Sequence, residues 1–495
     1  MPQASDSGEA LAGLLEGAPP GSVAIVCPDD GSTLTYEELA ASATRVAALL
    51  RRAGVERGDR VALVLPNGPE IVETLFGIAM LGAMAAPLNP AYTADEYSFY
   101  LTDLDPTLLL LPAGEYPNAR RGAGSSVEVL DLEPGDREHV ADASFEPGRP
   151  DDVALLLHTS GTTSRPKQVP LRQRNLVYSA RSIAAGYELG GDDVSYCPMP
   201  LFHVHGLVAS TFAALASGGS VVIPRRYTSR GLWSQAAERG VTWVSAGPTT
   251  HGMALDARDG QSPPPTLRLA RSCSSALSPE LMRRLEDAYG VPVLEAYGMT
   301  EASHQMASNP LPPRARIPGS VGVSAGAELR VVGPDGRETP AGEAGEVLVR
   351  GPGVTGGYLN NPEANAEAFV DGWFRTGDRG VLKDGYLYLQ GRLKEMILRG
   401  GENISPYEIE DVLLAHPAVA DAVCFGIEDA KYGEVVGAAV ALGGEAQPGE
   451  LAAHCREHLA SFKIPTVIHV LDEIPRTPTG KVQRRQVAAS LVNDS

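Results

Sequence analysis

Short apolar runs alternate along the chain with longer amphipathic stretches. Residues 22–27 form an apolar run that predicts a strand, and Thr35 followed by Glu38 is a capping box that predicts the start of a helix. A second strand over 61–65 and a second helix over 71–81 repeat the pattern. Because strands and helices that alternate with short connections fold into parallel sheets covered by helices, the pattern predicts an α/β protein.

The same alternation continues through most of the chain. The segment 120–149 interrupts it, and its glycine, proline and acidic residues predict an exposed, variable connection. The remaining apolar runs predict strands at 153–157, 243–246, 267–270 and 291–296, and periodic segments predict helices at 175–186, 208–215 and 406–414. The alternation of strand and helix continues over 418–425, 434–442 and 450–459.

Length and charge limit the class of protein. A chain of 495 residues is too long for a single hydrophobic core, so we expect more than one domain. The net charge of −20 argues against binding to nucleic acid or to an anionic membrane. The apolar segment 71–88 contains Glu73 and two glycines, which favours a buried helix over a membrane span. The first residues lack a signal-peptide pattern and the five cysteines lack metal spacing, so we expect a cytoplasmic location.

One stretch has the composition of a phosphate-binding loop. It follows the strand predicted at 153–157, and it is not a P-loop because no second glycine precedes its lysine. A flexible glycine lets backbone N–H groups converge, hydroxyl groups add donors, and the lysine adds a point charge. A polar surface turn is the alternative. The candidate phosphate ligands are Thr159, Ser160, Gly161, Thr162, Thr163 and Lys167.

The chain uses arginine for most of its cations and contains only six lysines, at 167, 383, 394, 431, 463 and 481. A lysine ammonium is compact and mobile, whereas an arginine guanidinium is a planar fork. We therefore expect the lysines that remain to be chemically required as a set. Three of them, Lys167, Lys394 and Lys481, lie in the phosphate-loop candidate or in the motifs described below.

The loop resembles the phosphate-binding loop of the adenylate-forming superfamily, which includes acyl-CoA synthetases. Further motifs of that family follow in order: Tyr297-Gly298-Met299-Thr300-Glu301, Gly377-Asp378, Gly391-Arg392-Leu393-Lys394, Arg399-Gly400-Gly401-Glu402 and Gly480-Lys481. The resemblance implies a large N-terminal domain (1–391) of parallel and mixed sheets with a small β-barrel-like subdomain. It also implies a hinge (392–395) and a small, mobile α+β domain (396–495).

The resemblance assigns roles to individual residues. Thr300 and Lys481 would stabilise the phosphate and the developing charge during adenylation, Glu301 would hold Mg²⁺, and Lys394 would be the hinge. Asp378 would accept from the ribose hydroxyls. The remaining implied nucleotide and CoA contacts are Ser274, Ser275, Ala276, Glu295, Ala296, Tyr297, Gly298, Arg392, Gly400, Gly401 and Glu402.

The implied reaction is an ATP-dependent carboxylate–CoA ligation that uses ATP, Mg²⁺ and coenzyme A. The acid would attack the α-phosphate of ATP, and after a domain rotation the CoA thiol would attack the acyl-adenylate. The barrier to the first step is charge repulsion between anions, so positioning and cations are what the protein adds. The alternative from another class is a non-catalytic protein that binds a nucleotide or an acyl-adenylate.

Two hypotheses about the acid remain open. The segment 300–312 with His304 resembles the oxalate–CoA ligase branch, which implies a small dicarboxylate. Gly247 and Gly252 instead suggest a roomy pocket for a bulky, terpenoid-like acid in specialised metabolism, such as antibiotic biosynthesis. Gln168 stands where relatives usually have glycine; under this second hypothesis it weakens adenylation, and a partner enzyme would supply the acyl-adenylate. His203 or His205 would line the acyl pocket under either hypothesis.

Overall fold

A computed structural model describes residues 8–132, 145–159, 166–399, 402–429, 431–477 and 482–492. These residues form an α/β fold of four sheets with helices packed against them, which confirms the predicted class.

Only some of the strands in the structure were predicted, and several of those differ from the predicted bounds by a few residues. In chain order they are β1 Val23–Val26, β2 Thr33–Thr35, β3 Arg60–Leu63, β4 Met84–Pro87, β5 Leu108–Pro112, β6 Glu128–Leu132, β7 Val153–Thr159, β8 Lys167–Arg172, β9 Val194–Tyr196, β10 Ser220–Val222, β11 Trp243–Ala246, β12 Leu269–Ser272, β13 Val293–Met299, β14 His304–Ser308, β15 Val323–Ser324, β16 Glu328–Val332, β17 Ala344–Arg350, β18 Phe369–Val370, β19 Trp373–Lys383, β20 Tyr386–Arg392, β21 Ile397–Arg399, β22 Glu402–Ile404, β23 Val419–Asp429, β24 Gly433–Leu442 and β25 Val467–Leu471.

The helices cover the faces of these sheets. In chain order they are α1 Tyr36–Arg52, α2 Pro69–Met80, α3 Ala94–Leu104, α4 Pro117–Ala123, α5 Gln173–Gly186, α6 Ala213–Ala216, α7 Ser229–Glu238, α8 Pro248–Asp256, α9 Pro279–Tyr289, α10 Pro362–Ala368, α11 Pro406–Leu414, α12 Pro448–His458 and α13 Arg484–Val492.

Helix α1 begins where the capping box placed it. The Thr35 side chain accepts from the backbone N–H of Glu38, and the Glu38 carboxylate accepts from the N–H of Thr35. The buried face of α1 packs on α2 at Gly77, where a Cβ would lie 2.8 Å from the carbonyl oxygen of Ala43. Glycine therefore permits the close approach of the two helices.

Two large sheets form the body of the fold. The nine-stranded sheet has the order β15-β14-β13-β12-β11-β9-β10-β1-β2, and the six-stranded sheet has the order β6-β5-β3-β4-β7-β8. The central strands of both pair in parallel, and the antiparallel pairs β13–β14 and β7–β8 lie toward one end of each sheet. Both antiparallel pairs carry predicted site residues.

Two smaller sheets follow. Strands β16–β20 form an antiparallel five-stranded sheet, which corresponds to the expected barrel-like subdomain. The fourth sheet is built from β21–β25 and begins at Ile397, just after the predicted hinge. Its core includes Val436 and Leu451, which are buried separately from the main core. The predicted domain boundaries agree with this arrangement but stay a prediction.

Two sequence predictions need correction. The segment 120–149 is not a connection throughout, because α4 ends at Ala123 and β6 pairs in parallel with β5. The helix predicted at 208–215 begins earlier, and residues His205–Phe212 are wound as a π-helix that continues into α6. A single apolar run does not distinguish these windings, because it specifies burial and not the hydrogen-bond spacing.

The apolar segment 71–88 lies in α2 and β4 within the main core, and most of its side chains are buried. Among the described residues, no helix combines the length and the hydropathy that a membrane crossing requires.

Candidate active site

The predicted phosphate loop joins the two strands of the β7–β8 hairpin. Thr159 ends β7 and pairs with Lys167, which begins β8, so both ends of the loop are fixed side by side. Lys167 lies over the aromatic ring of Tyr358, with its Nζ 4.6 Å from the ring centroid. The predicted ligands Ser160, Gly161, Thr162 and Thr163 lie outside the described residues.

The other face of this site carries a nearly buried carboxylate. Thr300 and Glu301 lie in the short 3₁₀ turn Thr300–Ala302 that follows β13, and Glu301 is only 9% exposed. The Tyr358 hydroxyl donates to Glu301 Oε1 at 2.9 Å, so Tyr358 contacts both Glu301 and Lys167. Within the described part of the chain, Glu301 makes no ion pair. One such oxygen donor beside a phosphate loop fits Mg²⁺, which is commonly held by one or two carboxylates together with substrate phosphates.

A second group of side chains comes together from three strands. The Tyr297 hydroxyl donates to Asp378 Oδ2, and Arg392 Nε lies 2.8 Å from Asp378 Oδ1. Arg392 Nη1 also donates to the carbonyl oxygen of Thr376 at 3.1 Å. Burial raises the pKa of Tyr297 well above its usual value, so Tyr297 is the donor to Asp378. Tyr297, Asp378 and Arg392 thus meet, and their roles toward a nucleotide stay a prediction.

Glu295 lies two residues before Tyr297 and is also buried. Its Oε1 accepts from the backbone N–H of Leu277 at 2.9 Å, and burial raises its pKa to about 8. Its Oε2 has no hydrogen-bond partner among the described residues. Leu277 directly follows the predicted contacts Ser274, Ser275 and Ala276, of which Ser274 and Ala276 are exposed.

Gly298 is required by the close approach of the next strand. Strands β13 and β14 pair as a hairpin with Met299 opposite His304, and a Cβ at Gly298 would clash with the carbonyl oxygen of His304. Ser303 and His304 themselves have positive φ angles of 52° and 111°. This turn brings His304 back beside the residues that precede it, where its side chain is buried.

A buried cation lies beneath the predicted acyl pocket. Arg271 on β12 is 0% exposed, and in the described residues it makes no ion pair with a carboxylate. Its guanidinium donates to Ser245 Oγ (3.1 Å), His304 Nδ1 (3.2 Å) and Gln305 Oε1 (3.1 Å). A buried charge without a counter-ion costs several kcal/mol unless hydrogen bonds or a ligand compensate it.

Arg271 determines which nitrogen of each neighbouring histidine carries the proton. A guanidinium can only donate, so His304 accepts at Nδ1 and keeps its proton on Nε2. Ser245 Oγ accepts from Arg271, and His205 Nε2 at 2.9 Å is the acceptor available for its hydroxyl hydrogen. His205 therefore donates from Nδ1 to Ser274 Oγ at 2.7 Å. The hydroxyl hydrogen of Ser274 is then free to face a ligand.

Both histidines of this cluster are neutral. Burial, followed by the charge of Arg271, lowers the pKa of His205 and of His304 well below the usual value, and their rings lie 5.1 Å apart. The cluster of Arg271, Ser245, His205, Ser274 and His304 therefore ends in two donors, the Ser274 hydroxyl and the His304 Nε2–H. We call it the donor cluster. Its chemistry suits an anion.

The other predicted pocket residues have different surroundings. His203 does not join the donor cluster; it packs against Phe202, lines a small cavity with Thr300, and burial lowers its pKa to about 4. A Cβ at Gly247 would meet only the carbonyl oxygen of Cys273 at 3.6 Å, and one at Gly252 would meet nothing within 4 Å. Neither glycine is required by the backbone, so the space beside α8 is open.

Gln168 does not occupy a position that needs glycine. It lies in β8 opposite His158 and is not among the residues with positive φ. Its Nε2 donates to the backbone oxygen of Asp103 at 2.6 Å and to Asp103 Oδ2 at 2.7 Å, and His158 Nε2 is 3.0 Å from the same Oδ2. The expected loss of permissive backbone geometry is thus absent at Gln168 itself. Neither contact was predicted from the sequence: Asp103 reaches Gln168 from a distant segment, and His158 is its neighbour across the β7–β8 hairpin.

The predicted hinge residue lies just before the small sheet of β21–β25, and one predicted CoA contact lies on it. Lys394 is exposed in the 3₁₀ turn Leu393–Glu395, and Glu402 is exposed and pairs with Arg399 across β21 and β22. Gly400, Gly401 and Lys481 lie outside the described residues. The predicted meeting of Lys481 with Glu301 around one nucleotide therefore stays a prediction.

A cluster of aromatic rings and cations lies beside this segment, and sequence analysis did not find it. Tyr432 and Phe462 are 40% and 36% exposed. The Arg399 guanidinium lies 5.1 Å and Lys431 Nζ 4.8 Å from the Tyr432 ring, and Lys463 Nζ lies 5.8 Å from the Phe462 ring. Arg399 also donates to the carbonyl oxygen of Phe462. We call these five residues the aromatic–cation cluster. The scarcity of lysines was the only sequence signal for it.

Comparison with known proteins identifies the family. Residues 16–359 match the family described as AMP-binding enzyme, and residues 408–481 match the AMP-binding enzyme C-terminal domain. The chain therefore belongs to the AMP-binding enzyme family. These matches confirm the predicted class, an AMP-forming acid–thiol ligase that uses ATP, Mg²⁺ and coenzyme A.

Several relatives are similar over nearly their whole length. An oxalate–CoA ligase of Arabidopsis thaliana is 44% identical, covering 97% of this chain and 98% of that protein. A sulfoacetate–CoA ligase of Cupriavidus necator is 38% identical, covering 98% and 97%. The crystal structure of ATP-bound MatB from Rhodopseudomonas palustris superposes with a TM-score of 0.90 at 31% identity, covering 98% of this chain and 99% of that one.

Proposed function

We propose that this ligase activates a small acid that carries a second anionic group, as oxalate and related dicarboxylates do. The observation that carries this proposal is the donor cluster: Arg271 is fully buried, has no carboxylate partner in the part of the chain that the structure describes, and orients Ser274 and His304 as donors. The Arabidopsis and Cupriavidus relatives are named for oxalate and sulfoacetate, and each of these substrates has two acidic groups.

The donor cluster would favour an acid with a second anionic group because leaving its polar groups unpaired costs free energy. A second carboxylate would accept from Ser274 and from His304 Nε2–H, and its charge would compensate that of Arg271. A bulky apolar acid would bury the same donors without acceptors, which costs about 1–3 kcal/mol for each group. The donor cluster therefore favours the dicarboxylate hypothesis, although the open space at Gly252 leaves room for a larger acid.

In the adenylation step, the nucleotide would lie between the phosphate loop and the Tyr297 group. Lys167, Thr300 and Lys481 would stabilise the phosphates, with Thr159, Ser160, Gly161, Thr162 and Thr163 as further donors. Mg²⁺ held by Glu301 would neutralise phosphate charge. Asp378 would exchange its Tyr297 contact for a ribose hydroxyl, and Arg392 would stay paired with Asp378.

The adenine would stack on Tyr297 and pair with Glu295. The free Oε2 of Glu295 is a buried polar atom without a partner in the described residues, and such atoms are normally hydrogen-bonded when a site is complete. Because burial raises the pKa of Glu295 to about 8, the carboxyl is protonated at neutral pH and would donate to a ring nitrogen. The walls around the adenine would be formed by Ala296, Gly298, Ser275 and Ala276.

In the thiolation step, we propose that the aromatic–cation cluster receives the nucleotide end of CoA. Exposed aromatic rings can stack on a purine, and the cations Arg399 and Lys431 match its phosphates. Lys463 is paired with the Glu408 carboxylate and would have to exchange it for a phosphate. Rotation of residues 396–495 about Lys394, within the hinge 392–395, would then bring Gly400, Gly401 and Glu402 to the acyl-adenylate. The protein would carry out both steps itself, in the cytoplasm, without a partner enzyme.

Pyrophosphate release with a panel of acids tests this function. Oxalate, malonate and sulfoacetate would be compared with acetate, benzoate and a polycyclic terpenoid acid, each with ATP and Mg²⁺. We expect the acids with two anionic groups to give the highest kcat/KM. A higher kcat/KM for the terpenoid acid would overturn the proposal. Thioester formation only from a supplied acyl-adenylate would favour thiolation with a partner enzyme.

A further inference from the structure

A second group of potential ligands lies on the small sheet's helix α12, away from the residues discussed above. His454, Glu457 and His458 occupy positions i, i+3 and i+4, which lie on one face of a helix. Their ligand atoms all lie within 4.8 Å of one another, and the two imidazole rings are 4.7 Å apart. Small side-chain rotations would bring such atoms to the distances that one metal ion requires.

His454 is already held in a tautomer that can bind a metal. Its Nε2 lies 3.0 Å from the carbonyl oxygen of Val412 on α11, and only a protonated nitrogen can donate to a carbonyl. In the neutral ring, Nδ1 therefore has a free lone pair. Metal-binding histidines commonly donate their other ring N–H to a backbone carbonyl in this way, which fixes the orientation of the ring.

A third histidine packs against the His454 ring and does not compete for the metal ion. His416 packs on His454 with the ring centroids 5.2 Å apart. Its Nδ1 accepts from the backbone N–H of Ala418 at 3.2 Å, and its Nε2 is directed toward Glu450 at 3.8 Å. His416 is therefore already engaged and acts as packing for His454.

The location of these three residues at the C-terminal end of α12 also favours the binding of a cation. His458 is the last residue of α12, where the unpaired carbonyl groups make the helix end partly negative. Glu457 and His458 are exposed, so solvent can reach the site and supply a further ligand. The five cysteines of the chain, which would be stronger ligands for a soft metal, are all buried.

We propose that His454, Glu457 and His458 bind one divalent transition-metal ion, of which Zn²⁺ is the best match, at the C-terminal end of α12. Two imidazoles and one carboxylate are a ligand set that suits zinc, whereas Mg²⁺ prefers an all-oxygen site. The ion would fix the end of α12 and strengthen the contact of His454 with α11. The proposal does not depend on which acid the enzyme activates.

Isothermal titration of the untagged, full-length protein with Zn²⁺, in excess Mg²⁺, tests the site. We expect one zinc ion per chain, and binding weaker by at least about tenfold in His458→Ala. Glu457→Gln is expected to weaken binding as well. His469→Ala removes a histidine from β25 of the same sheet and is the matched control, for which we expect no change.

Thermal unfolding provides a second readout that is independent of activity. At the same zinc concentration, zinc should raise the unfolding temperature of the wild type and of His469→Ala equally, and that of His458→Ala by less. Two outcomes would overturn the proposal: a wild type that binds no zinc, or a His458→Ala and Glu457→Gln pair that both bind zinc as the wild type does. His458 is exposed, so its replacement tests binding without disturbing the fold.

Discussion

Arg271 Nη2 lies 3.2 Å from His304 Nδ1, and both side chains are buried. Because the guanidinium has no acceptor, this one contact fixes the tautomer of His304 and directs its Nε2–H away from Arg271. The positive charge of Arg271 also helps to keep His304 neutral. A cation that never reaches the surface thus determines what the neighbouring side chains present to a ligand.

The first prediction concerns the donor on His304. Replacement by Phe removes Nε2–H, and Arg271 Nη2 loses one of its two acceptors while it still donates to Gln305 Oε1. We therefore expect kcat/KM for the preferred dicarboxylate to fall by about 100-fold or more. His304→Asn is the matched variant, because Asn, like His, is enriched among residues with positive φ and keeps an amide donor. Its loss should be smaller.

Pyrophosphate release measures this loss, and the KM for ATP in the same assay checks that the loss concerns the acid and not the nucleotide. We expect the ATP KM to change little in both variants, since the described hydrogen bond of the His304 side chain goes to Arg271, which is not assigned to the nucleotide. Equal losses in His304→Phe and His304→Asn would contradict a donor role and would indicate that only the shape of the turn matters.

The second prediction concerns Gln168. Replacement by Gly removes both hydrogen bonds to Asp103 and places a flexible residue in β8, so we expect adenylation to be slower and the protein to be less stable by about 1 kcal/mol or more. Pyrophosphate release and thermal unfolding measure the two effects. Faster adenylation in Gln168→Gly would instead show that Gln168 impairs the first step.

The third prediction follows from the raised pKa of Glu295. A carboxyl group whose pKa is raised from 4.5 to about 8 by burial contributes most stability below pH 4.5, and that stability is lost as the pH rises to 8. Gln cannot ionise, so Glu295→Gln does not lose this stability with pH. The variant should therefore gain stability relative to the wild type as the pH rises from 5 to 8.

Thermal unfolding at several pH values measures this difference. Because Gln can accept from the Leu277 N–H and donate from its amide as the protonated Glu295 does, we expect the KM for ATP to change by less than about threefold. A stability difference that does not vary with pH would contradict the assigned protonation state.

The fourth prediction tests the aromatic–cation cluster. Tyr432→Ala and Phe462→Ala each remove a surface on which a purine can stack, so we expect the KM for CoA to rise by about 5-fold to 100-fold. Pyrophosphate release in the absence of CoA should be unchanged. Val467→Ala, which truncates another exposed apolar residue of the small sheet, is the control. An unchanged KM for CoA in both Tyr432→Ala and Phe462→Ala would show that the aromatic–cation cluster does not bind CoA.

Much of the architecture could be predicted because it depends on local chemistry. The capping box at Thr35 and Glu38 fixed the start of α1, and the apolar run after Gly240 fixed β11. Strand ends were less accurate, since hydrogen-bond pairing and not hydrophobicity decides where a ladder stops. The run after His205 predicted a buried helix, but its π winding depends on packing against the sheet.

The candidate active site was likewise predictable only where its residues are adjacent in the sequence. Tyr297, Glu301 and Asp378 could be predicted from motifs of adjacent residues. The donor cluster could not, because Ser245, His205 and Arg271 come from separate segments and become a unit only when β11, β12 and the π-helix pack together. Asp103 likewise reaches Gln168 from 65 residues away.

The most direct test of the account compares acids in wild type and in two variants of Arg271. Arg271→Met removes the charge, and Arg271→Lys keeps the charge but not the fork that reaches Ser245 and His304 together. The quantity to measure is the ratio of kcat/KM for oxalate to that for acetate, from pyrophosphate release. We predict a ratio well above one in the wild type that falls by about 100-fold or more in Arg271→Met and by less in Arg271→Lys. An unchanged ratio in folded Arg271→Met protein would contradict the claim that the buried arginine selects the second anionic group.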